Sequence, residues 1–327
     1  MSSQIMTESA SKVLVIGATG YIGKYLVEAS VKLGHPTFAL VRSLVIAAGH
    51  PGTHYADEEG RNNLIQSFRN AGVHVLFGDV NDREVLVGAM RKVDVVYSAL
   101  AHHPCKLLEH QTLIIAAIKQ AGNIKRFFPS EFGFDVERNQ FLEPLQSALA
   151  EKIKIREAVR KEGIPFTFVS SNFGATYFLS RLGQVEADGI PAATVSIIGD
   201  GNPKAIHVDE RDIATYSIKA ADDERTLNKI LYIRPPANIY SVNELVSLWE
   251  TKTNKTLERI YVSEEEVLKK INESPGQLPF FYAVAYAGFI KGQTTNFDID
   301  PSIGVEASIL YPDVEYTTVE KFMDRFL

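Results

Sequence analysis

The chain has 327 residues, of which 45% are hydrophobic and 23% are charged, the balance of a water-soluble globular protein with a sizeable core. Lysine and arginine number 34 and aspartate and glutamate 40, so the net charge is −6, and no basic cluster is interleaved with aromatic residues. We therefore expect no nucleic-acid partner. The single cysteine, Cys105, excludes an internal disulfide and a cysteine-based zinc cage and favours a reducing compartment such as the cytoplasm.

The first residues are polar, and residues 1–11 are predicted to form a flexible tail. The first apolar run, Val13–Ile16, meets Gly17 too soon to be the core of a signal peptide. No later stretch approaches the roughly 18 apolar residues of a membrane span, so we expect no membrane association.

Short β-branched runs alternate with helix-length amphipathic segments through the first half of the chain. Strands are predicted at Val13–Ile16, Thr37–Val41, Val73–Phe77, Val93–Ser98, Arg126–Phe128 and Phe166–Val169. Helices are predicted near Ile22–Leu33, Asp57–Ala71, Asp82–Arg91, Leu107–Ala121 and Leu145–Glu162, the last of which stops at Gly163. This alternation indicates an α/β fold, a Rossmann-type doubly wound parallel sheet with helices on both faces.

The alternation ends near residue 175. Later helix starts carry capping boxes, in which a Ser or Thr precedes a Glu by three positions: Ser241 with Glu244, Ser263 with Glu266, and Thr317 with Glu320. Arg211–Ala221 and Ile230–Ile233 indicate a return of the chain to the first lobe. We predict a nucleotide-binding domain over residues 12–174, with returns near 205–235, and a smaller, mostly helical substrate lobe over residues 175–327, interleaved with it.

A glycine motif lies directly after the first strand and directly before the first helix. The sequence Gly17-Ala18-Thr19-Gly20-Tyr21-Ile22-Gly23 is GxxGxxG, a pattern that binds the pyrophosphate of a dinucleotide when a strand and a helix flank it. Gly17 permits the tight turn, Gly20 the close approach of the backbone, and Gly23 the packing of the helix on the sheet. The alternative is a tight turn without a ligand. The expected cofactor contacts are Gly17, Thr19, Gly20, Tyr21, Ile22 and Gly23.

The end of the second strand favours NADPH over NADH. Arg42 stands where NAD enzymes carry a carboxylate, and its fork of donors suits the 2′-phosphate, although a solvated arginine at a strand end is the alternative. Asp79, after the third strand, is predicted to lie near the adenine. Ser98 and Ala99, after the fourth, are predicted to lie near the nicotinamide ribose. Plain turns at these strand ends remain the alternative for all three.

Candidates for chemistry follow the fifth and sixth strands, because ligands bind at the carboxyl ends of parallel strands. Between these strands lies Lys152, and a partly desolvated lysine can act as a general acid or base near neutral pH. Lys154 is nearly as eligible on this evidence, and a lysine on a charged helix is commonly only solvated. The chain lacks the Tyr-x-x-x-Lys pair of ordinary short-chain dehydrogenases, a zinc signature and a nucleophile elbow.

A group of histidines surrounds the single cysteine. His102, His103 and His110 flank Cys105, but neighbouring residues of one loop seldom point at a common centre. We therefore expect no metal site.

At this point the chain resembles the plant isoflavone reductase-like enzymes, which include pinoresinol–lariciresinol, phenylcoumaran benzylic ether and isoflavone reductases and eugenol synthases, in the NmrA-like, atypical branch of short-chain dehydrogenases. The resemblance runs from about Lys12 to the C-terminus. It is carried by these stretches: Gly17–Gly23, His35–Thr37, Gly78-Asp79, Val93–Val96, Ala121–Phe127, Pro129–Gly133, Glu162–Thr167, Gly199–Asn202 and Tyr311–Val314.

The resemblance implies roles for particular residues. The lysine that matches Lys152 is the catalytic acid/base of the family, the arginine that matches Arg42 holds the 2′-phosphate, and the stretch that matches Ser170–Phe173 packs against the nicotinamide. Lys152, Asn172 and Phe173 are therefore expected cofactor contacts. The family delivers hydride from NADPH to an electron-poor carbon, often that of a quinone methide, in phenylpropanoid, lignan and isoflavonoid secondary metabolism.

The expected substrate is a small aromatic plant metabolite, bound by Phe173, Phe178 and apolar residues around Phe280–Tyr282. Two hypotheses compete with this one. The NmrA-like branch contains regulators that bind NADP without catalysis, and some relatives act in alkaloid pathways, where an acidic group would hold a cationic imine. The loops Ser43–Arg61 and Ala101–Glu109 depart from the family pattern and leave substrate identity open. A homodimer is possible.

Overall fold

The computed structural model describes residues 10–42, 58–100, 107–138 and 140–327. The chain divides into two compact units with interleaved segments: the first has Met1–Ser130, Glu157–Thr167 and Ser217–Leu227, and the second has Glu131–Arg156, Phe168–Tyr216 and Asn228–Leu327. Most of the predicted tail, residues 1–9, lies outside the described residues, as do residues 43–57 and 101–106 of the two unusual loops. The predicted functional boundary at residue 174 stays a prediction.

The first unit alternates strands and helices. Its strands are β1 Val13–Ile16, β2 Thr37–Val41, β3 His74–Phe77, β4 Val95–Ser98 and β5 Arg126–Phe128. Its helices are α1 Gly23–Lys32, α2 Glu58–Asn70, α3 Arg83–Met90 and α4 Leu107–Ala121. The predicted bounds are matched within two residues.

These strands form one parallel sheet in the order β3-β2-β1-β4-β5. Val13 on β1 is in register with Thr37 on β2 and Val95 on β4, so β1 is central. Every residue of β1 and β4 is buried, as expected for strands covered on both faces. Phe166 extends the sheet by one parallel bridge to β5. The predicted α/β fold is confirmed.

One buried arginine anchors a later segment of the chain to this sheet. Arg126 on β5 is 2% exposed, and its Nη1 donates hydrogen bonds to the carbonyl oxygens of Ala220 at 2.6 Å and Asp223 at 2.8 Å. It also donates to the Thr226 hydroxyl at 2.9 Å. These hydrogen bonds from a buried cation hold Ser217–Leu227 in the first unit.

The helix that carries Lys152, α5, spans Leu145–Lys161 and contributes residues to both units. Gly163 follows it with φ +63°, a left-handed backbone conformation that ends a helix and favours glycine. The predicted stop at Gly163 is confirmed.

The second unit mixes short strands with helices, and the sequence did not predict most of these strands. The strands are β6 Thr167–Ser170, β7 Phe173–Gly174, β8 Thr194–Ile198, β9 Lys204–Val208, β10 Lys229–Tyr232, β11 Ile239–Ser241, β12 Glu258–Val262 and β13 Gly304–Glu306. The helices are α6 Ala175–Phe178, α7 Glu210–Lys219, α8 Val242–Thr253, α9 Glu264–Glu273, α10 Leu278–Ala285, α11 Ala307–Leu310 and α12 Val319–Met323. Helix α7 and strand β6 have residues in both units.

Three small sheets organise these strands, in the orders β13-β10-β6, β11-β9-β7 and β12-β8. Of the predicted return to the first lobe, Ser217–Leu227 falls in the first unit, whereas β10 falls in the second and pairs with β13. Helix α10 runs into a π-helical turn, Tyr286–Ile290, in which the Lys291 amide donates to the Tyr286 carbonyl five residues earlier at 3.1 Å. No helix in the described part of the chain is long and apolar enough to cross a membrane.

Two of the three predicted helix caps are correct. Ser241 and Glu244 form the full capping box of α8, and the Ser263 hydroxyl accepts a hydrogen bond from the Glu266 amide. The prediction for Thr317 is wrong, because the cap of α12 is Thr318. The Thr317 amide donates instead to the Asp212 carboxylate at 2.7 Å, which holds Thr317 outside the helix.

Candidate functional site

The glycine turn of the first unit leaves no room for side chains. Gly17 has φ +81°, and a Cβ there would lie 2.7 Å from the Ala99 carbonyl oxygen. A Cβ on Gly23 would lie 2.0 Å from the Gly17 carbonyl oxygen, and one on Gly20 would lie 3.1 Å from the same atom. The three glycines therefore allow β1, the turn and helix α1 to pack in contact. They leave the backbone bare at the start of the helix, as pyrophosphate binding requires.

A buried glutamine ties together the ends of β4 and β5. The Gln111 amide nitrogen donates to the Ser98 hydroxyl at 2.5 Å, and its carbonyl oxygen accepts from the Ser130 amide at 3.5 Å. The Ser130 hydroxyl in turn donates to the Leu100 carbonyl at 2.7 Å. Gln111 was not predicted from the sequence, because only the fold shows that this position of helix α4 is fully buried.

Two arginines meet at the end of β2. The Arg61 Nη2 donates to the Arg42 carbonyl oxygen at 2.5 Å. The Arg61 side chain is buried, and its Nη1 has no hydrogen-bond partner among the described residues. Burial, and next the charge of Arg42, lower the pKa of Arg61. Two adjacent cations with a spare N–H suit a dianionic phosphate. Arg42 was predicted from the sequence, whereas Arg61, inside a loop regarded as unusual, was missed.

Asp79 is engaged with its own loop. Its carboxylate accepts from the Asn81 amide at 2.8 Å and from the Asn81 side chain at 2.6 Å. A Cβ on the preceding Gly78 would lie 2.3 Å from the Val85 side chain. The turn after β3 is therefore closely packed, and the predicted contact of Asp79 with the adenine stays a prediction.

Lys152, in the second unit, is partly buried on helix α5, and its ammonium donates to the Glu131 carbonyl oxygen at 2.6 Å. Burial lowers the pKa of Lys152; the carboxylate of Glu131 opposes this shift, and the charge of Arg156 reinforces it. Lys154, the alternative from sequence, is exposed. Of the two lysines, Lys152 has the environment of a general acid or base.

Arg156, one turn further along α5, is fully buried and holds three carboxylates. Its Nε and Nη2 donate to the two oxygens of Glu131 at 3.0 and 2.6 Å, a bidentate pair. Its Nη1 donates to Asp135 and to Glu137, both at 2.8 Å. The three carboxylates raise the pKa of Arg156, so it stays charged. Residue 131 thus contacts the helix twice, through its carbonyl at Lys152 and its carboxylate at Arg156.

The segment after β5 is strained and hydrogen-bonded to the end of β6. Phe132 has φ +47° and its amide donates to the Val169 carbonyl at 3.2 Å. Asn172 has φ +60°, its amide donates to the Gly133 carbonyl at 3.0 Å, and its side chain donates to the Ile233 carbonyl at 2.9 Å. Non-glycine residues in this conformation cluster at functional sites.

The aromatic residues predicted for the substrate lie in contact. The Phe173 and Phe178 rings stack with centroids 4.2 Å apart, and Phe289 meets Phe173 edge-on at 5.1 Å. A Cβ on Gly288, in the π-helical turn, would lie 2.1 Å from the Phe173 ring, so glycine is required there. Tyr177 stacks on Phe281 at 5.4 Å. The second unit therefore contains an aromatic cluster, in which Phe173 and Phe289 are buried and Tyr177 is exposed.

The predicted site residues fall into two groups, one in each unit. The first unit carries Gly17, Thr19, Gly20, Tyr21, Ile22, Gly23, Arg42, Asp79, Ser98 and Ala99, and the second carries Lys152, Asn172, Phe173 and Phe178. Within residues 10–42, 58–100, 107–138 and 140–327, no group of three or more His, Cys, Asp or Glu side chains could hold a metal ion. His102, His103 and Cys105 lie outside the described residues.

Comparison with known proteins identifies the family. The model of the NmrA-like family matches residues 9–323. A phenylcoumaran benzylic ether reductase of Pyrus communis is 54% identical over 319 residues, which are 98% of this chain and 99% of that protein. The crystal structure of an isoflavone reductase matches with a TM-score of 0.90 at 44% identity, over 97% of this chain and 99% of that one.

A further solved structure, described with NADP⁺ and (+)-pinoresinol, matches with a TM-score of 0.87 at 35% identity, over 97% of this chain and 99% of that one. These matches confirm the resemblance found in the sequence, the α/β fold and the prediction of an NADP(H)-dependent oxidoreductase. The chain belongs to the NmrA-like family, among its isoflavone reductase-like reductases.

Proposed function

We propose that this reductase acts on a small aromatic plant metabolite and that Lys152 is its general acid and base. The observation that carries the proposal is the environment of Lys152: a partly buried amine with a lowered pKa, held by the Glu131 carbonyl oxygen and backed by the Arg156 cluster. Removing an ammonium group from water costs free energy, so a purely structural role does not explain a lysine in this environment.

The residues of the first unit fit NADPH. Gly17, Gly20 and Gly23 clear the turn that would hold the pyrophosphate, and Arg42 and Arg61 supply the two cations for the 2′-phosphate. The chemistry that NADPH supplies when bound is a hydride. The predicted contacts of Thr19, Tyr21, Ile22, Ser98, Ala99, Asn172 and Phe173 with the cofactor form part of this proposal.

Lys152 can both accept and donate a proton. Because burial lowers its pKa, a larger fraction of the side chain is the neutral amine near neutral pH than for a solvated lysine. The neutral amine accepts a proton from a phenolic hydroxyl and the ammonium returns it. A rate limited by this base rises with pH until the pH passes the pKa of Lys152.

The substrate class rests on the aromatic cluster and on the relatives. Tyr177, which is 38% exposed, and the partly buried Phe178 offer aromatic faces to a phenolic ring, and Phe173 stacks on Phe178. The relatives named above are described with three different substrates, a phenylcoumaran, an isoflavone and pinoresinol. Identities between 35% and 54% do not separate them, so activity must be tested against each.

One observation favours a second candidate, reduction of a cationic imine. Glu151 immediately precedes Lys152, and its Oε2 is buried without a hydrogen-bond partner among the described residues. An unpaired carboxylate oxygen is the acidic group that a cationic nitrogen heterocycle requires. A cyclic imine therefore belongs among the substrates tested.

The test measures NADPH oxidation with a phenylcoumaran, pinoresinol, a 2′-hydroxyisoflavone, a coniferyl ester and a cyclic imine. We expect one aromatic compound to be turned over, and Lys152→Ala to lower kcat by about 10²–10⁴ while leaving NADPH affinity intact. Lys154→Ala, on the same helix but exposed, is the matched control and should retain activity. Turnover that survives in Lys152→Ala contradicts the role of the lysine. Tight NADPH binding with no turnover favours the sensor hypothesis instead.

We also propose a cytoplasmic location, because a single cysteine suits a reducing compartment. Imaging of a fluorescent fusion tests it. A homodimer is the oligomeric state we would test first, by sedimentation equilibrium of the purified protein, since closed two-fold dimers are the commonest assemblies of soluble enzymes.

A further inference from the structure

A single peptide group joins Lys152 to strand β6. Its carbonyl oxygen, on Glu131, accepts the hydrogen bond of the Lys152 ammonium at 2.6 Å. Its N–H, on Phe132, donates to the Val169 carbonyl oxygen at 3.2 Å. The C=O and N–H bonds of a trans peptide group point in opposite directions, so the hydrogen bond to β6 directs the carbonyl oxygen toward the lysine.

This orientation depends on an unusual backbone conformation at Phe132. Its φ is +47°, in the left-handed region, where a residue with a bulky side chain is an outlier. Among the described residues, three of the five non-glycine residues with positive φ are asparagines, which tolerate this conformation. Gly133 follows directly, yet its own φ lies outside the left-handed region. The strain therefore falls on a phenylalanine although a glycine is one position away.

The residues on both sides of Phe132 are anchored. The carbonyl oxygen of Gly133 accepts a hydrogen bond from the Asn172 amide at 3.0 Å. The carboxylate of Glu131 is fixed by its bidentate pair with Arg156. A strained residue persists only where its surroundings fix it in this way, and such residues cluster at active sites.

The Glu131 carbonyl oxygen acts on the lysine in two ways. It fixes the direction of one N–H bond of the ammonium and with it the position of the Lys152 Nζ atom. A hydrogen bond to the ammonium also stabilises the charged form, so this bond opposes the effect of burial on the pKa of Lys152.

We propose that Phe132 is a positioning residue for the reaction: its strained backbone holds the Glu131 carbonyl oxygen against the Lys152 ammonium and so fixes the amine that exchanges the proton. The inference deepens the proposed function and rests on it. A residue that adopts the left-handed conformation easily should replace Phe132 without loss, whereas a residue that resists it should turn the carbonyl away. Without this acceptor the pKa of Lys152 falls further, because the effect of burial is then less opposed.

Phe132→Asn and Phe132→Val test this, because both remove the aromatic ring but only asparagine tolerates the left-handed conformation. The acid dissociation constant of the Lys152 ammonium is measured from the pH dependence of its acetylation by acetic anhydride, with mass spectrometry of the labelled peptide. We expect Phe132→Asn to leave this constant within about twofold of the wild type and Phe132→Val to raise it about tenfold, the scale of a hydrogen bond to a charged group.

Leu182→Val is the matched control. It places the same residue at another left-handed position of the second unit, φ +49°, whose amide donates to Leu179 rather than to β6. This variant should leave the dissociation constant of Lys152 unchanged. If Phe132→Val does not fold, Phe132→Ala, which resists the conformation less strongly, should move the constant in the same direction by a smaller factor.

Equal changes in Phe132→Asn and Phe132→Val would assign the effect to the aromatic ring and overturn the proposal. An unchanged or smaller constant in Phe132→Val, or agreement between Phe132→Ala and Phe132→Asn, overturns it as well. Acetylation needs no turnover, so this failure is distinguishable from a failure of the proposed function, in which activity does not depend on Lys152. Where both proposals hold, the pH at which kcat rises moves down in Phe132→Val and not in Phe132→Asn.

Discussion

The ion pair between Glu131 and Arg156 is expected to carry much of the stability of the site, and Glu131→Gln tests this. Both side chains are at most 1% exposed, and the pair is bidentate at 2.6 and 3.0 Å. The amide of glutamine would present a donor to a guanidinium nitrogen, so one of the two hydrogen bonds becomes a donor–donor contact. Breaking a buried pair of this kind costs about 3 kcal/mol, more than a hundredfold in the ratio of folded to unfolded protein.

Glu137→Gln is the matched control for this measurement. Glu137 contacts the same guanidinium at 2.8 Å, but its side chain is 29% exposed, so water replaces most of what the pair contributes. We expect a loss of about 1 kcal/mol or less. Urea unfolding of both variants, compared through the free energy of unfolding at equal m-values, decides the matter. Equal losses in the two variants would refute the reasoning that burial determines the strength of this cluster.

Glu131→Gln should also change the pH dependence of activity. The Glu131 carboxylate raises the pKa of Lys152 against the effect of burial, so neutralising residue 131 lowers that pKa further. Activity that requires the neutral amine then begins to rise at lower pH than in the wild type. A pH profile of kcat measures the shift, and an upward shift would mean that Glu131 does not act on Lys152 through its charge.

Three further changes give sharp expectations. Gly23→Ala should abolish NADPH binding, measured by nucleotide titration, because its Cβ would lie 2.0 Å from a carbonyl oxygen. Gly88→Ala, in helix α3 with open space around the added Cβ, should instead stabilise the fold by about 1 kcal/mol or less, measured by thermal unfolding. Arg61→Ala should weaken NADPH binding about tenfold and NADH binding far less, since only NADPH carries the 2′-phosphate, and equal losses would assign Arg61 a purely structural role. Ser241→Ala should cost about 1 kcal/mol in urea unfolding through loss of the α8 cap, and Ser241→Thr should retain most of that stability.

The nucleotide-binding half was predictable because its signals are local. Apolar strand runs, helix stops and the spacing of Gly17, Gly20 and Gly23 are each set by neighbours in the sequence, and the structure matches them closely. The capping prediction at Thr317 failed for the opposite reason. Its amide is held by Asp212, a residue 105 positions away, which no local pattern can include.

The surroundings of the site depend on contacts that the sequence does not display. In the sequence, Arg156 is one of several charged residues on a charged helix and is expected to be solvated. In the structure it is fully buried against Glu131, which lies 25 residues earlier. Gln111 is likewise an ordinary polar residue until the fold buries it. Leaving a buried polar group unpaired destabilises the fold, so a buried polar residue is a candidate for a specific role. Burial is a property of the folded chain, and the sequence alone does not give it.

The π-helical turn at Tyr286–Ile290 can be understood as a one-residue insertion in a helix that would otherwise be regular. Removing one residue from this turn would restore α-helical hydrogen bonding and rotate the preceding helix, Leu278–Ala285, by about 100° about its axis. Such a deletion leaves the backbone satisfied while it exchanges the side chains that this helix presents, and it moves Gly288 away from the ring of Phe173. A change of one residue in the length of this turn would therefore change the aromatic cluster without altering the fold that supports it.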